Sequence, residues 1–304
     1  MNIKIGTRGS KLALWQAYHI QDLLEAKGAS VEIITIETKG DKILDKALSK
    51  IGSKGVFTEE LEDALRSGQI DIAVHSAKDV QSKLDDDIPL IAFTERETVN
   101  DVLVSDNAQL DLTQAITIGT SSTRRVALLR HFYPHVKIVD MRGNLQTRFK
   151  KMRSGDCDAL LLAYAGVHRM ELNDSIAQVL DKNEFIPPVG QGCVAIQGSP
   201  KKLGDEKLQF IQQTINNTTA ELCVRAERAY LRELEGGCSI PVFGNATLSD
   251  DTITLKGGII SLDGQKIITK ELTGKNPEEL GIAFSKEVFA AGGDKILAEI
   301  KAQL

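Results

Sequence analysis

The sequence predicts an α/β protein of two related lobes, followed by a small α+β C-terminal domain. The chain has 304 residues, enough for about two domains of ordinary size. Along the first two thirds, short apolar segments typical of buried strands alternate with helical patterns, which favours mostly parallel sheets. Two segments of the first third also recur, in the same order, further along the chain.

The recurrence involves two pairs of segments. Residues 5–14 and 118–129 each contain an apolar strand, a turn of small polar residues and a helical pattern. Residues 66–74 and 153–161 each contain a helix end, a glycine suited to a C-cap and a buried strand. Chance matching of short strings is the alternative, but the shared order favours two lobes of related build.

Apolar spacing and capping residues predict the longer helices. Residues 58–68 combine an acidic first turn, an apolar stripe and a final glycine. Apolar residues spaced i, i+4 and i+7 predict a second helix that starts at Leu145 and stops before Gly155. Residues 218–221, Thr-Thr-Ala-Glu, form a capping box that opens a third helix, which closes at residues 236–237.

The pattern changes after residue 240. We predict four short antiparallel strands, at residues 246–248, 252–255, 258–261 and 267–271. Asp263 and Gly264 are expected to form the hairpin turn between the last two strands, and a final helix is expected near residues 277–290.

The predicted domain boundaries follow from these elements. The first lobe takes residues 1–95 together with 190–212, the second lobe residues 98–187, and the C-terminal domain residues 215–304. Residues 187–192, rich in proline and glycine, are predicted to cross between the lobes.

Composition and charge narrow the function classes. Lys and Arg number 37 against 42 Asp and Glu, and this net charge of −5 argues against a nucleic-acid coat or a binder of anionic membranes. The apolar runs are far shorter than the ~20 residues of a membrane span. Residues 1–6 have the pattern of a strand rather than of a signal peptide, so we expect a cytoplasmic protein.

Four cysteines stand at positions 157, 193, 223 and 238 without C-x-x-C spacing, which disfavours a zinc site and a disulfide framework. Cys238 is distinctive because it follows Gly236 and Gly237. Glycines permit an exposed, tightly turned loop, so Cys238 is a candidate for covalent chemistry. The alternative is a buried cysteine that acts as a small apolar residue.

Arginines are concentrated in the second lobe. The cluster comprises Arg124, Arg125, Arg130, Arg142, Arg148 and Arg153. Arg124 and Arg125 begin a helix after a turn of small polar residues, and a helix N-terminus with guanidinium groups suits carboxylate or phosphate. Arg8 and Ser10 occupy the equivalent turn of the first lobe. Two such turns facing each other would hold a polyanion; the alternative is a solvated basic face.

A polar segment, His75-Ser76-Ala77-Lys78-Asp79, follows a buried strand at the end where open α/β sheets bind ligands. It offers a base, hydrogen-bond donors and a carboxylate, although it could equally be a loop that caps the next helix. Residues this close in sequence rarely reach the geometry of a Ser-His-Asp triad. Residues 39–55, rich in Gly and Lys, could be a lid over an anionic ligand or a plain surface loop.

Together these segments resemble the porphobilinogen deaminase (hydroxymethylbilane synthase) family. The resemblance is carried, in family order over about residues 1–245, by Thr7-Arg8-Gly9-Ser10, Leu14-Trp15-Gln16-Ala17, His75-Ser76-Ala77-Lys78-Asp79, Ser121-Ser122-Thr123-Arg124-Arg125, Arg142-Gly143-Asn144, Arg148, Ala165-Gly166, Gly190-Gln191-Gly192 and Glu235-Gly236-Gly237-Cys238. It implies two lobes resembling type II periplasmic binding proteins and a third domain that carries the cysteine.

The resemblance also implies an activity. Family enzymes join four porphobilinogen molecules head to tail, release ammonia at each step and yield the linear tetrapyrrole hydroxymethylbilane for haem biosynthesis. A dipyrromethane cofactor is bound by a thioether, here at Cys238. No metal, nucleic acid or membrane is required, and a monomer is expected.

The site residues implied by the resemblance fall into three groups. The catalytic carboxylate is Asp79, which would stabilise positive charge at a pyrrole nitrogen. The cofactor-binding residues are Cys238, Lys78, Ser10, Thr120, Ser121, Arg124, Arg125, Arg142, Gly143 and Arg148. The substrate-binding residues are Arg8, Gln16, Arg142, Arg148, Gln191, Lys50 and Lys54.

Three positions depart from the family pattern: Gln81 where Pro is common, Met141 where another aliphatic residue is usual, and Phe243, inserted before the usual glycine. Two other function classes remain open on the sequence alone. One is a solute-binding protein of the same bilobed fold; the other is a hydrolase with a cysteine nucleophile, which needs a histidine base beside Cys238.

Overall fold

The computed structural model describes residues 1–42, 58–237 and 239–303. The strands in these ranges are β1 (Asn2–Thr7), β2 (Ser30–Thr35), β3 (Ile72–Ser76), β4 (Leu90–Phe93), β5 (Asp101–Val104), β6 (Thr117–Gly119), β7 (Lys137–Val139), β8 (Ala159–Ala163), β9 (Ile176–Val179), β10 (Val194–Gly198), β11 (Val242–Ser249), β12 (Thr252–Ile260) and β13 (Ile267–Gly274). The α-helices are α1 (Lys11–Glu25), α2 (Lys39–Lys42), α3 (Glu59–Ser67), α4 (Thr123–Phe132), α5 (Leu145–Arg153), α6 (Tyr164–Arg169), α7 (Pro200–Ile215), α8 (Thr218–Glu233), α9 (Pro277–Val288) and α10 (Asp294–Lys301).

Within the described residues, two five-stranded sheets have the same topology, in the orders β2-β1-β3-β10-β4 and β7-β6-β8-β5-β9. In each sheet the first three strands are parallel. Helices pack on both sheets, and α1 buries Ala17, Ile20 and Leu24 against the first. The predicted pair of related α/β lobes is therefore confirmed.

The prediction of mostly parallel sheets is wrong for one strand in each lobe. β10 is antiparallel to both β3 and β4, and β5 is antiparallel to both β8 and β9. Each of these strands enters its sheet from the other lobe: β5 follows β4, and β10 follows β9. A strand that arrives by such a crossing is not joined through a local βαβ unit, so nothing local requires it to be parallel.

The smaller C-terminal sheet is antiparallel, in the order β11-β12-β13. The predicted strands 252–255 and 258–261 are one strand, β12, which continues through Gly257 and Gly258. These glycines permit close approach of the neighbouring strands, since a Cβ on Gly258 would lie 1.7 Å from the Ile268 carbonyl oxygen. The turn at residues 263–264 is confirmed: Gly264 has φ +78° and donates its N–H to the Ser261 carbonyl at 2.9 Å.

Most predicted helices are present, with corrections at their ends. α3 ends at Gly68, which adopts φ 81°, and α5 ends before Gly155. The predicted capping box is one residue out of place, because the Asn217 side chain accepts the Ala220 N–H and caps α8. Beyond α9 the chain turns through Gly292, at φ 99°, into α10, a helix that the apolar spacing does not predict.

Residues 94–100 and 180–193 run between the two lobes, so the expected crossing at residues 187–192 is confirmed. None of the helices in the described part of the chain is long and apolar enough to span a membrane.

Candidate active site

Equivalent turns open the first helix after the leading strand in both lobes. The Ser10 hydroxyl accepts the Ala13 N–H at the start of α1, and the Ser122 hydroxyl accepts the Arg125 N–H at the start of α4. A short polar side chain in this position satisfies an otherwise free helix N–H, which explains why both turns consist of small polar residues. The sequence repeat thus corresponds to a structural repeat at the carboxyl ends of β1 and β6.

Arg124 and Arg125 converge on one buried carboxylate. Arg124 Nη2 lies 2.5 Å from Asp101 Oδ2, and Arg125 Nη2 lies 2.7 Å from Asp101 Oδ1. The two arginines are only 4% and 7% exposed, so the alternative of a solvated basic face is wrong for them. Burial alone would raise the pKa of Asp101, but the two guanidinium groups outweigh it and hold that pKa well below its usual range.

Gln191 joins this buried cluster to the first lobe. Its Nε2 donates to Val99 O at 2.7 Å and to Asp101 Oδ1 at 3.0 Å. Its Oε1 accepts a hydrogen bond from Lys78 Nζ at 3.2 Å. The crossing segment therefore holds one lysine of the first lobe next to the ion cluster of the second.

Lys78 and Asp79 form a single 3₁₀ turn directly after β3. Burial lowers the pKa of Lys78 to about 8, although the neighbouring Asp79 carboxylate opposes this shift. The Asp79 side chain is exposed and lines a small pocket together with Arg8, Ser10 and Gln16. Cation and carboxylate thus stand side by side at the sheet edge that the sequence indicates.

The other polar residues of this segment, His75 and Ser76, line the same pocket and make hydrogen bonds within the first lobe. His75 and Ser76 belong to β3 itself, and Gln16 Nε2 donates to Ser76 Oγ at 2.8 Å. His75 Nε2 lies 3.1 Å from Gln197 Oε1, and burial lowers the pKa of His75 to about 4. Burial therefore favours the neutral imidazole of His75 and makes it a weaker base than an exposed histidine.

A loop of the second lobe brings further arginines towards the same cleft. Arg148 Nε donates to the Gly143 carbonyl at 2.8 Å, and Gly143 adopts φ +114°. Burial, reinforced by nearby Arg125, lowers the pKa of Arg148 to about 10, while Asp79 opposes the shift. Arg142 Nε lies 3.0 Å from Asp140 Oδ2.

Two predicted cofactor-binding hydroxyls are engaged by the backbone. Ser121 Oγ donates to the Met141 carbonyl at 2.6 Å and accepts the Met141 N–H at 3.0 Å. Thr120 Oγ1 accepts the Ser122 N–H at 3.3 Å. These contacts hold the loop before α5 against the start of α4. Their roles towards a cofactor remain predictions.

The turn after Asp79 is held by the C-terminal part of the chain. Arg228, on α8, donates to the Gln81 carbonyl at 2.6 Å. The Gln81 side chain, a departure from the family pattern, donates to Thr58 Oγ1 at 3.0 Å and so ties the turn to the start of α3. Phe243, another departure, is fully buried in the core.

Lys50, Lys54 and Cys238 lie outside the described residues, as does most of the segment 39–55. The other cysteines, Cys157, Cys193 and Cys223, are buried, and burial raises the pKa of each thiol to about 11. At neutral pH they are protonated and poor nucleophiles. In the described ranges no three His, Cys, Asp or Glu residues are grouped as metal ligands.

Several residues important to this arrangement carry no signal in the sequence. Asp101 is one acidic residue at the start of an apolar strand, and its two arginine partners are more than twenty residues away. Arg96 lies in one crossing segment and forms a bidentate pair with Glu227, on α8, at 2.5 and 3.1 Å. Arg96 Nε also donates to Gln191 O at 2.8 Å.

Two buried guanidinium N–H groups next to Asp101 have the chemistry to bind a carboxylate. Arg124 Nε and Arg125 Nε are buried without a hydrogen-bond acceptor among residues 1–42, 58–237 and 239–303. Unpaired buried N–H groups of a cation are costly, and a carboxylate oxygen is a strong acceptor for them. A dipyrromethane with acetate and propionate groups supplies such oxygens.

Comparison with known proteins gives concordant matches. Residues 3–207 match the family model "Porphobilinogen deaminase, dipyromethane cofactor binding domain", and residues 221–290 match "Porphobilinogen deaminase, C-terminal domain". The porphobilinogen deaminase of Desulfosudis oleivorans is 52% identical, covering 100% of this chain and 99% of that protein. That of Cytophaga hutchinsonii is 55% identical, covering 98% and 97%.

Similar solved structures include the VFT2 domain of BvgS from Bordetella pertussis, 17% identical with a TM-score of 0.42, covering 75% of this chain and 92% of that one. A TRAP periplasmic solute binding protein from Desulfovibrio salexigens is 8% identical with a TM-score of 0.42, covering 70% and 72%. The two family models and the full-length identities, together with the cleft geometry, show that the chain is an enzyme that belongs to the porphobilinogen deaminase family.

Proposed function

We propose that the chain performs the stepwise head-to-tail joining of four porphobilinogen molecules into hydroxymethylbilane, a transferase reaction that releases ammonia at each step. The observation that carries the proposal is the exposed Asp79 carboxylate, set among Arg8, Lys78 and Arg148 at the edge where the two lobes meet. A carboxylate there can accept pyrrole N–H hydrogen bonds and stabilise positive charge on the ring, while the cations hold ring carboxylates.

The cofactor proposal concerns Cys238. We infer that it forms a thioether to a dipyrromethane, and that Lys78, Arg124 Nε, Arg125 Nε, Arg142 and Arg148 hold its carboxylates. When bound, the dipyrromethane supplies the pyrrole carbon that accepts the first substrate ring. The support from this chain is the pair of buried Nε–H groups that have no partner among the described residues, together with the half-buried Lys78 ammonium, which interacts electrostatically with both arginines.

The remaining roles rest on the family resemblance. Gln16 and Gln191 would contact substrate rings, and Lys50 and Lys54 would contact substrate carboxylates. We propose the domain boundaries 1–95 with 190–212, 98–187 and 215–304, because each sheet falls within one of these ranges. We also propose a monomer that works in the cytoplasm.

Intact mass of the purified chain tests the cofactor. We expect an excess equal to one dipyrromethane that is absent from Cys238→Ser and retained in Cys157→Ser, because Cys157 is buried. If the wild-type chain has no excess and gains none from added porphobilinogen, it is a binding protein on the same fold. A Cys238→Ser chain that keeps the excess contradicts attachment at this residue.

Steady-state turnover tests Asp79. Asp79→Asn keeps the size and shape of the side chain but removes its charge. We therefore expect turnover to fall by ~100-fold or more, while the mass of the bound cofactor is unchanged. Asp86→Asn is the matched control, since Asp86 is an exposed carboxylate a few residues away. Turnover of Asp79→Asn within a few-fold of wild type contradicts the proposed role.

A further inference from the structure

A second, larger cavity lies between the lobes, beside the pocket that contains Asp79. Its volume is about 640 Å³, within the range of ~300–1,000 Å³ common for small-molecule sites. The wall is shared by α1 of the first lobe and by α5 and α6 of the second. The side chains that matter here are Lys11, Trp15, Phe149, Lys150, Arg153 and Arg169.

The cavity combines positive charge with aromatic walls. Among the described residues that line it, four side chains are cationic and one, Glu171, is a carboxylate. The Arg169 guanidinium lies 5.3 Å from the Trp15 ring and donates to the Gly192 carbonyl at 2.7 Å. Arg153 lies 5.5 Å from the Phe149 ring. The Trp15 ring also stacks on His19, with the ring centroids 5.3 Å apart, so it is the cations that suit a ring carrying negative groups.

Two of the cations have no carboxylate partner among the described residues. Lys11 and Lys150 are exposed at the cavity, and neither side-chain ammonium group makes a hydrogen bond or an ion pair with another residue in the described part of the chain. Arg153, by contrast, already pairs with Asp106 at 3.0 Å. The lysines are therefore the groups whose charge a ligand would neutralise.

The two cavities share one helix. Ser10, Ala13 and Gln16 line the pocket at Asp79, while Lys11 and Trp15 line the larger cavity. These residues span about 9 Å along the axis of α1, a little under two turns. The two pockets are therefore neighbours along α1, at a spacing that successive rings of one chain can bridge.

The growing product explains why a second cationic site would be useful. Each added ring brings an acetate and a propionate, so negative charge accumulates with every step. In the described part of the cleft, both Nη groups of Arg124 and of Arg125 are already engaged by Asp101 and by backbone carbonyls. Cations beyond those around Asp79 would therefore favour the binding of later rings.

We propose that the cavity lined by Lys11, Trp15 and Lys150 binds a pyrrole ring that bears carboxylate groups, with the two lysine ammonium groups on its carboxylates. This inference rests on the proposed function. Two sources of the same chemistry exist: a ring of the chain tethered at Cys238, and free porphobilinogen.

Trp15 provides a built-in reporter, because it is the only tryptophan in the sequence. The experiment adds porphobilinogen to the purified enzyme with its cofactor, records tryptophan emission, and counts the added rings by intact mass. We expect emission to change as later rings are added, and the third and fourth additions in Lys11→Glu/Lys150→Glu to slow by at least ~3-fold. Lys137→Glu, an exposed lysine of the same lobe, should match wild type.

The Cys238→Ser chain separates the two sources. An emission change that requires Cys238 supports a tethered ring, and a change that persists in Cys238→Ser, yet is weakened by the lysine reversals, supports free porphobilinogen. The inference is overturned if rings are added while Trp15 emission stays constant, or if the lysine reversals match wild type in both readouts. If the wild-type mass never increases, the proposed function fails instead.

Discussion

The charge of Lys78 should make the binding of carboxylates in the cleft depend on pH. Because burial lowers its pKa to about 8, the ammonium is lost as pH rises through that value, and with it the attraction for carboxylates. We expect KM for porphobilinogen to increase above about pH 8 in wild type. In Lys78→Arg the increase should be absent or displaced upward, since guanidinium stays charged. Identical KM–pH profiles of the two enzymes contradict this role.

The lowered pKa of Lys78 affects the free energy of unfolding in the opposite direction. In the folded chain the pKa of Lys78 lies below the ordinary lysine value of 10.5, so between about pH 8 and 10.5 the unfolded chain binds more protons than the folded chain. The contribution of Lys78 to the free energy of unfolding therefore increases with pH across this window. Affinity and stability should thus move in opposite directions on the alkaline side.

At the scale of elements, the C-terminal sheet depends on the glycine pair within β12. A methyl group on Gly258 would overlap the carbonyl of Ile268 on β13, and that atom is backbone and cannot swing aside. We expect Gly258→Ala to lower the free energy of unfolding by about 3 kcal/mol or to prevent folding of this sheet.

Gly244→Ala, on the neighbouring strand, is the control, because its Cβ would meet Tyr230 at 3.5 Å, an ordinary contact. Urea unfolding followed by circular dichroism compares them, and equal midpoints contradict the argument.

For the whole molecule, one buried ion pair connects the C-terminal domain to both crossing segments. The Glu227 side chain is fully buried and accepts from Arg96, from Gly190 N at 2.7 Å and from Ala246 N at 2.6 Å. Arg96 in turn donates to the carbonyl of Gln191, whose side chain spans the cleft. The position of the C-terminal domain and the geometry of the cleft are therefore linked through this pair.

Glu227→Gln leaves Arg96 buried without its counter-charge. We expect the free energy of unfolding to fall by about 3–5 kcal/mol, measured by urea unfolding. Asp85→Asn removes a partner of Arg66 at an exposed ion pair, and should cost less than about 1 kcal/mol. A Glu227→Gln cost as small as that of the exposed pair would show that the buried pair is not needed to hold the parts together.

Features set by neighbours in the chain were predictable from the sequence. Ser10 caps the helix that follows it, and Gly68 ends the helix before it, because both interactions join residues at most four positions apart. Family motifs placed the candidate catalytic turn at the end of β3, and the internal repeat indicated the two lobes. Even here the exact cap of α8 was missed, because adjacent Asn and Thr residues offer competing caps.

Features set by distant residues needed the tertiary structure. Gln191 meets Asp101 across 90 positions, and Arg96 meets Glu227 across 131. The antiparallel strands β5 and β10 depend on crossings between lobes, and the partner of Arg124 and Arg125 is a lone aspartate with no motif around it. The amino-acid sequence alone therefore determined the fold class, the family and the types of residue at the site. Only the folded chain decided which charges are buried and paired, because burial and pairing depend on residues that folding brings together from remote parts of the sequence.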